Sequence, residues 1–106
     1  MKNLYVFFDT VSGNYGDVFQ AENDLVMRRS ALRSLASVPP EIARDTVVLC
    51  VGSIVLDNNG LPSIQPCAPV RTALSGSSPE VEEIRVQLMA EAQRYASFAG
   101  GDAHAE

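Results

Sequence analysis

His104 is the only histidine among the 106 residues, and it falls in what the sequence predicts to be a terminal tail. General acid–base catalysis and the Ser-His-Asp or Cys-His nucleophile systems need an imidazole that neighbours orient and tune. A tail supplies no such neighbours, so these reaction classes have no candidate here. Cys50 and Cys67 form no CxxC pair, and no histidine spacing completes a metal site around them. Two free thiols of a reducing compartment are expected. The glycines spell no phosphate cradle either: Gly13-Asn14-Tyr15-Gly16 lacks GxGxxG spacing, and no Gly-Lys-Ser/Thr follows. The chain therefore reads as non-enzymatic, with no catalytic residue, no metal and no cofactor expected. Asp9 closes an apolar run. It is read either as a carboxylate with chemistry to do or, more simply, as a hairpin anchor holding turn amides or an arginine. Asp24 is read as a helix-cap residue.

One constellation could bind rather than catalyse. Arg28, Arg29 and Arg33 are the basic cluster, and Tyr5, Phe7 and Tyr15 could stack bases of single-stranded DNA if their sheet face were open. The competing reading is core aromatics beside a solvated arginine flank. The net charge of −5 weighs against a bulk phosphate binder, which is normally basic, and against adsorption to anionic membranes. No apolar run approaches the roughly 18–20 residues needed to span a bilayer. No secretory leader is discernible, and a soluble, cytoplasmic protein is expected.

The elements that must position these residues are organised around Thr46 to Gly60. Six β-branched residues lie between Thr46 and Val55, and a run buried on both faces has no need to alternate. It reads as a central strand, with Gly52 marking a bulge or a close backbone approach. Asp57-Asn58-Asn59-Gly60 predicts a tight Asn-Gly hairpin. The returning strand, residues 61–65, contains Pro62 and belongs at a sheet edge; residues 70–74 are ambiguous. Upstream, residues 3–10 form a strand whose Leu4, Val6 and Phe8 face one side and Tyr5 and Phe7 the other, so cover on both sides is expected. A short strand at 18–21 completes an N-terminal hairpin. Asn23-Asp24 caps a helix over 25–37, with Leu25, Ala31, Leu32, Leu35 and Ala36 on its apolar stripe and Arg28 near that stripe. Pro39-Pro40 stops the helix, and 41–44 makes a helical turn.

The fold class is α+β: a small, mostly antiparallel four-stranded sheet in the order β-β-α-β-β, with one packed helix and a long C-terminal helix. The expected organisation is a compact domain over 1–74, a flexible Ser/Gly joint at 75–78, a helix over 79–99 and a frayed tail over 100–106. Ser77 and Glu80 match a capping box for that last helix. Its stripe of Val81, Ile84, Leu88, Ala92 and Tyr95 has near-heptad spacing. These residues are the expected oligomer interface of a homodimer.

Leu4-Tyr5-Val6-Phe7-Phe8-Asp9, then Tyr15-Gly16-Asp17-Val18-Phe19, then Asn23-Asp24 leading to Arg29, and finally Leu49-Cys50-Val51-Gly52-Ser53-Ile54 with Asp57 and Gly60, occur together and in order. This series resembles the small nonstructural protein of gokushovirus-type microviruses, which are single-stranded DNA phages. The resemblance covers residues 1–70 and leaves out the helix after Ser78. It implies a phage accessory protein in the host bacterial cytoplasm. Such a protein would bind single-stranded DNA or the replication complex during viral DNA synthesis or its coupling to packaging. Host or phage replication proteins and capsid proteins are the implied partners. It carries over no enzymatic residue. Asp9, Asn23, Asp24, Arg29 and Gly52 match its motif positions, and each also has a structural reading. The alternative is an adaptor or assembly regulator that oligomerises through its C-terminal helix without touching nucleic acid.

Overall fold

The computed structural model describes residues 2–104, with side chains through residue 96. Its elements are β1 (Lys2–Asp9), β2 (Tyr15–Ala21), α1 (Asp24–Ala36), α2 (Pro40–Arg44), β3 (Thr46–Leu56), β4 (Pro62–Ser75) and α3 (Pro79–His104). All three strand pairings are antiparallel, and the sheet order is β2-β1-β3-β4. The fold is α+β, with β3 inside the sheet and β4 at its edge. The three prolines of β4 remove ladder donors there, which protects an edge from adding further strands.

Two aspartates close the two hairpins by the same device. Asp9 Oδ1 accepts from the Val11 and Ser12 amides at 2.9 and 3.3 Å, and Asp57 Oδ1 accepts from Asn59 and Leu61 at 2.8 and 2.9 Å. The second turn is not the expected two-residue form. Only Gly60 takes a positive φ (77°), and Asp57 N–H bonds Leu61 O across a three-residue loop. That is a turn followed by a left-handed glycine bulge, which leaves Asn58 and Asn59 unstrained. The first turn likewise ends on Gly13, at φ 75°.

Gly52 sits at the bulge of β3, between Cys50 and Gly52 in its pairing with β4. A Cβ there would lie 2.8 Å from the Gln65 carbonyl oxygen, so side-chain-free backbone is required. Four β4 residues, 67–70, loop out opposite Val51 before pairing resumes at Arg71 with Cys50. The short strand expected over 61–65 and the ambiguous 70–74 are therefore one long strand with an interruption.

Both long helices lie on one face of the sheet. The core joins Tyr5, Val48, Cys50 and Leu74 from the strands to Met27, Ala31, Leu32 and Leu35 of α1, Ala43 of α2 and Val81 of α3. Leu25, expected on the buried stripe, is 74% exposed, and Met27 takes the buried place. The helix begins one residue before the periodicity suggested, and Asn23 caps it by accepting from Val26 N–H at 2.9 Å. Arg85 of α3 reaches back to donate to the Leu35 and Val38 carbonyls, satisfying orphan acceptors where α1 ends.

The joint before α3 is a packed turn. Gly76 N–H donates to Thr46 O at 2.8 Å, Ser78 N–H to Ser75 O, and the Ser77 hydroxyl pairs with Ser75 Oγ at 2.8 Å. The capping box does not form, because Ser77 is used in the turn and Glu80 pairs with Arg28. Helix α3 runs on through Gly100-Gly101 to His104, where an end at residue 99 was expected. Glycine costs a helix only about 1 kcal/mol per residue and does not by itself stop one. Residues 105 and 106 of the expected tail, and the side chain of His104, lie outside the described residues. The hairpin tip and α3 project far enough to stretch the molecule to 63 Å, with a radius of gyration of 18.0 Å. A compact chain of this length would have about 13 Å.

Candidate functional site

The aromatics and arginines expected to bind bases do not share a surface. Tyr5 is fully buried on the helix-covered face and stacks on Phe19 with ring centroids 5.7 Å apart. Phe7 lies on the same covered face, 5.2 Å from Phe19. Tyr15 is exposed, but it pairs with Phe8 on the opposite face. Arg28 is engaged by Glu80 of α3. Among the described residues only Arg29 and Arg33 of the cluster are exposed and free of an ion pair. They lie four apart on α1, as helical spacing requires.

The expected oligomer stripe divides in two. Val81 is buried, and Ile84 and Leu88 are half-buried against the core of their own chain. The β4–α3 turn aims the helix at α1, and intramolecular packing claims its first three turns. From Met89 to Ala96 every side chain is exposed. Ala92 and Tyr95 lie on this free stretch, with Tyr95 78% and Met89 57% accessible.

A polar cluster that sequence reasoning did not assemble sits where α1 meets the sheet. Asp24 accepts from the Tyr5 hydroxyl at 2.5 Å and from both terminal nitrogens of Arg71 at 2.9 and 3.0 Å. Asn3 donates to the Tyr5 oxygen and accepts from Ser53 Oγ. The Arg71 bonds and the Tyr5 hydroxyl hold the Asp24 carboxyl below the usual range. Burial, then the bond to Asp24, pushes the Tyr5 phenol up. The Asp24 partner pushes Arg71 up as well. The titration of each group is moved further from neutral pH, so the cluster pins α1 to three strands and is not tuned for proton transfer there. Arg71 was missed because its partner lies 47 residues away. The signal that could have found it is the placement of Asp24 just past the cap, free to turn inward. Asp9 is also held low, by the Val11 and Ser12 amides, as a hairpin anchor would be.

Two hollows, of about 280 Å³ between α2 and α3 and about 230 Å³ beside Phe7 and Val38, fall below the usual 300–1,000 Å³ of small-molecule sites. A third, of about 470 Å³, is an apolar recess against Lys2, Ile54, Val55 and Leu56. Among the described residues no group of histidine, cysteine and acids could hold a metal ion, and no helix is long and apolar enough to cross a membrane.

Among the described residues no helix packs against the sheet's other face. In register across it stand Tyr15, Val18 and Gln20 of β2, Phe8, Val6 and Leu4 of β1, Val47, Leu49 and Ile54 of β3, and Thr72 and Ile64 of β4. None of its aliphatic or aromatic members belongs to the core cluster. In comparisons with known proteins, the chain matches no family model, no curated protein and no solved structure.

Proposed function

We propose that this is a non-enzymatic accessory protein that works by protein–protein contact, with the free stretch of α3 as its docking arm. The observation that carries this reading is the exposure of Met89 and Tyr95, with Ala92 between them, on a helix whose first turns are anchored by Val81 and Arg85. A rigid helix bearing apolar side chains at helical spacing is a recurrent ligand for hydrophobic grooves. The microvirus resemblance supports partners among phage or host replication proteins and the capsid protein, in the bacterial cytoplasm. The test is co-purification of the full chain with a candidate capsid or replication protein, nuclease-treated. Met89→Glu with Tyr95→Glu should abolish it while the far-UV spectrum is unchanged. Undiminished co-purification would remove the arm from the reading.

A second reading, direct binding of single-stranded DNA, is favoured by the exposed Arg29 and Arg33, which pair with no acid among the described residues. Fluorescence anisotropy with a labelled oligonucleotide tests it. Binding that weakens with salt, and that loses affinity and salt slope in Arg29→Ala with Arg33→Ala, would establish it. No salt-sensitive binding at micromolar protein would end it.

A further inference from the structure

We infer that the open sheet face is the seat of a second copy of this chain, packed face to face as in a β-sandwich. An apolar sheet face must be covered, and stacked sheets do so at about 10 Å separation. On this face Val6 is buried, at 4% exposed, whereas Val18 is 61% and Tyr15 67% exposed. The extent of the face suits a dimer. The eight residues from Val47 to Ile54 span about 26 Å, and four strands span about 19 Å, giving roughly 500 Å² in projection. Accessible surface follows the side-chain relief and exceeds the projection. The exposed Leu56 and Ile64 extend it toward the hairpin tip. That reaches the region of ~800 Å² per partner in a standard interface.

Charge selects the occupant. The chain carries 13 acids and a net charge of −5, so two copies repel unless they meet through a patch without acids. None of the paired positions of this face holds an acid, and Lys2, at one end, is the single cation in register with it. A two-fold axis through the face sets each Lys2 at an opposite end of the interface and brings no like charges together. A nucleic acid would find one cation there, and a charged protein partner would find no complement. Expected contact through α3 is thus replaced by contact through the sheet, which leaves both arms free. The inference does not depend on the adaptor reading.

The test is the mass of the full chain by size exclusion with light scattering, from about 1 to 100 µM, since area alone does not fix affinity. The expected mass is twice 11.4 kDa. Val18→Arg should give a folded monomer, its dissociation constant raised at least ~100-fold by an unpaired charge in an apolar interface. Tyr15→Arg repeats the test at a second exposed side chain should the first variant lose its fold by circular dichroism. Met89→Glu with Tyr95→Glu should remain dimeric. A monomeric wild type, a dimer that survives both face variants, or a dimer broken by the α3 variant would each overturn the inference.

Discussion

Gly76→Ala is the substitution that most sharply separates a packed turn from a flexible joint. A Cβ built on Gly76 would stand 1.7 Å from the Ala43 carbonyl oxygen and 2.7 Å from that of Thr46. Both are main-chain atoms, so no side chain can rotate away. Reaching an ordinary contact of 3.4 Å requires a main-chain shift of about 1.7 Å, far beyond the few tenths that packed interiors yield cheaply. A shift of that size breaks the 2.8 Å bond from Gly76 N–H to Thr46 O, worth ~1 kcal/mol. It also draws Val81, five residues on and 2% exposed, out of the core, worth ~1.5–3 kcal/mol. The expected loss is about 2.5–4 kcal/mol, or a fall in melting temperature of roughly 10–30 °C for a domain of this size. Gly13→Ala is the control. Its φ is 75° but nothing lies within 4 Å of the added methyl, so only the ~1–2 kcal/mol cost of a left-handed non-glycine residue applies. Urea titration followed by far-UV circular dichroism measures both. A Gly76→Ala loss no greater than that of Gly13→Ala would refute the packed turn and restore a mobile joint.

Asp24→Asn should cost about 1 kcal/mol or less at pH 7, because Asp24 and Arg71 are both nearly half exposed and water screens the pair. The folded carboxyl is held below its unfolded value, so its stabilisation is complete above the unfolded value near pH 4 and disappears as pH falls through the folded one. Urea midpoints of variant and wild type should therefore differ at pH 7 and converge as the pH falls through the folded value; a gap that widens in acid would contradict the assignment. Tyr5→Phe removes the donor to Asp24 and the acceptor for Asn3 inside the core, and should destabilise by ~1–2 kcal/mol. A midpoint identical to wild type would mean the network contributes nothing. Burial pushes the Cys50 thiol up and leaves it 3% exposed, whereas Cys67 is half-buried. A thiol reagent should label Cys67 alone in the native protein and Cys50 only on unfolding; equal native rates would show that the β4 bulge opens readily.

What the chain states about itself is local. The apolar run at Thr46–Leu56, the Asn23 cap and the Asp9 anchor could be read directly because each depends on neighbours within a few residues. The second half of β4 could not. Pro66 and Pro69 interrupt it, and Val70, Ala73 and Leu74 are too sparse to show a period. It is a strand because β3 offers it a ladder, and tertiary pairing overrides weak propensity. Gly76 was legible only as a turn former, since its need for a missing Cβ arises from the Ala43 and Thr46 carbonyls some 30 residues upstream. Tyr5 and Phe7 were offered as stacking residues on the condition that their face be open. Their period identified that face, and nothing local could say that it is the one α1 covers.

The two faces of β1 show where such reading stops. Alternation told that Leu4, Val6 and Phe8 on one side and Tyr5 and Phe7 on the other all need cover, and cover by the same chain was the natural expectation. The connections forbid it. Helix α1 leaves the edge strand β2 and returns over Tyr5. Helix α3 leaves the opposite edge, β4, through a turn in which Gly76 is wedged against α2, on the side where α1 already lies. With only three residues between Ser75 and Pro79, the chain cannot swing around the edge to the other face. Both helices are spent on one side, and their mutual packing through Val81, Ile84 and Arg85 fixes them there. Periodicity reports that a face requires burial, while chain connection decides whether the same chain can provide it. Among the described residues neither long helix does so, and the second copy inferred above would meet the demand of Val18, Tyr15 and Leu4.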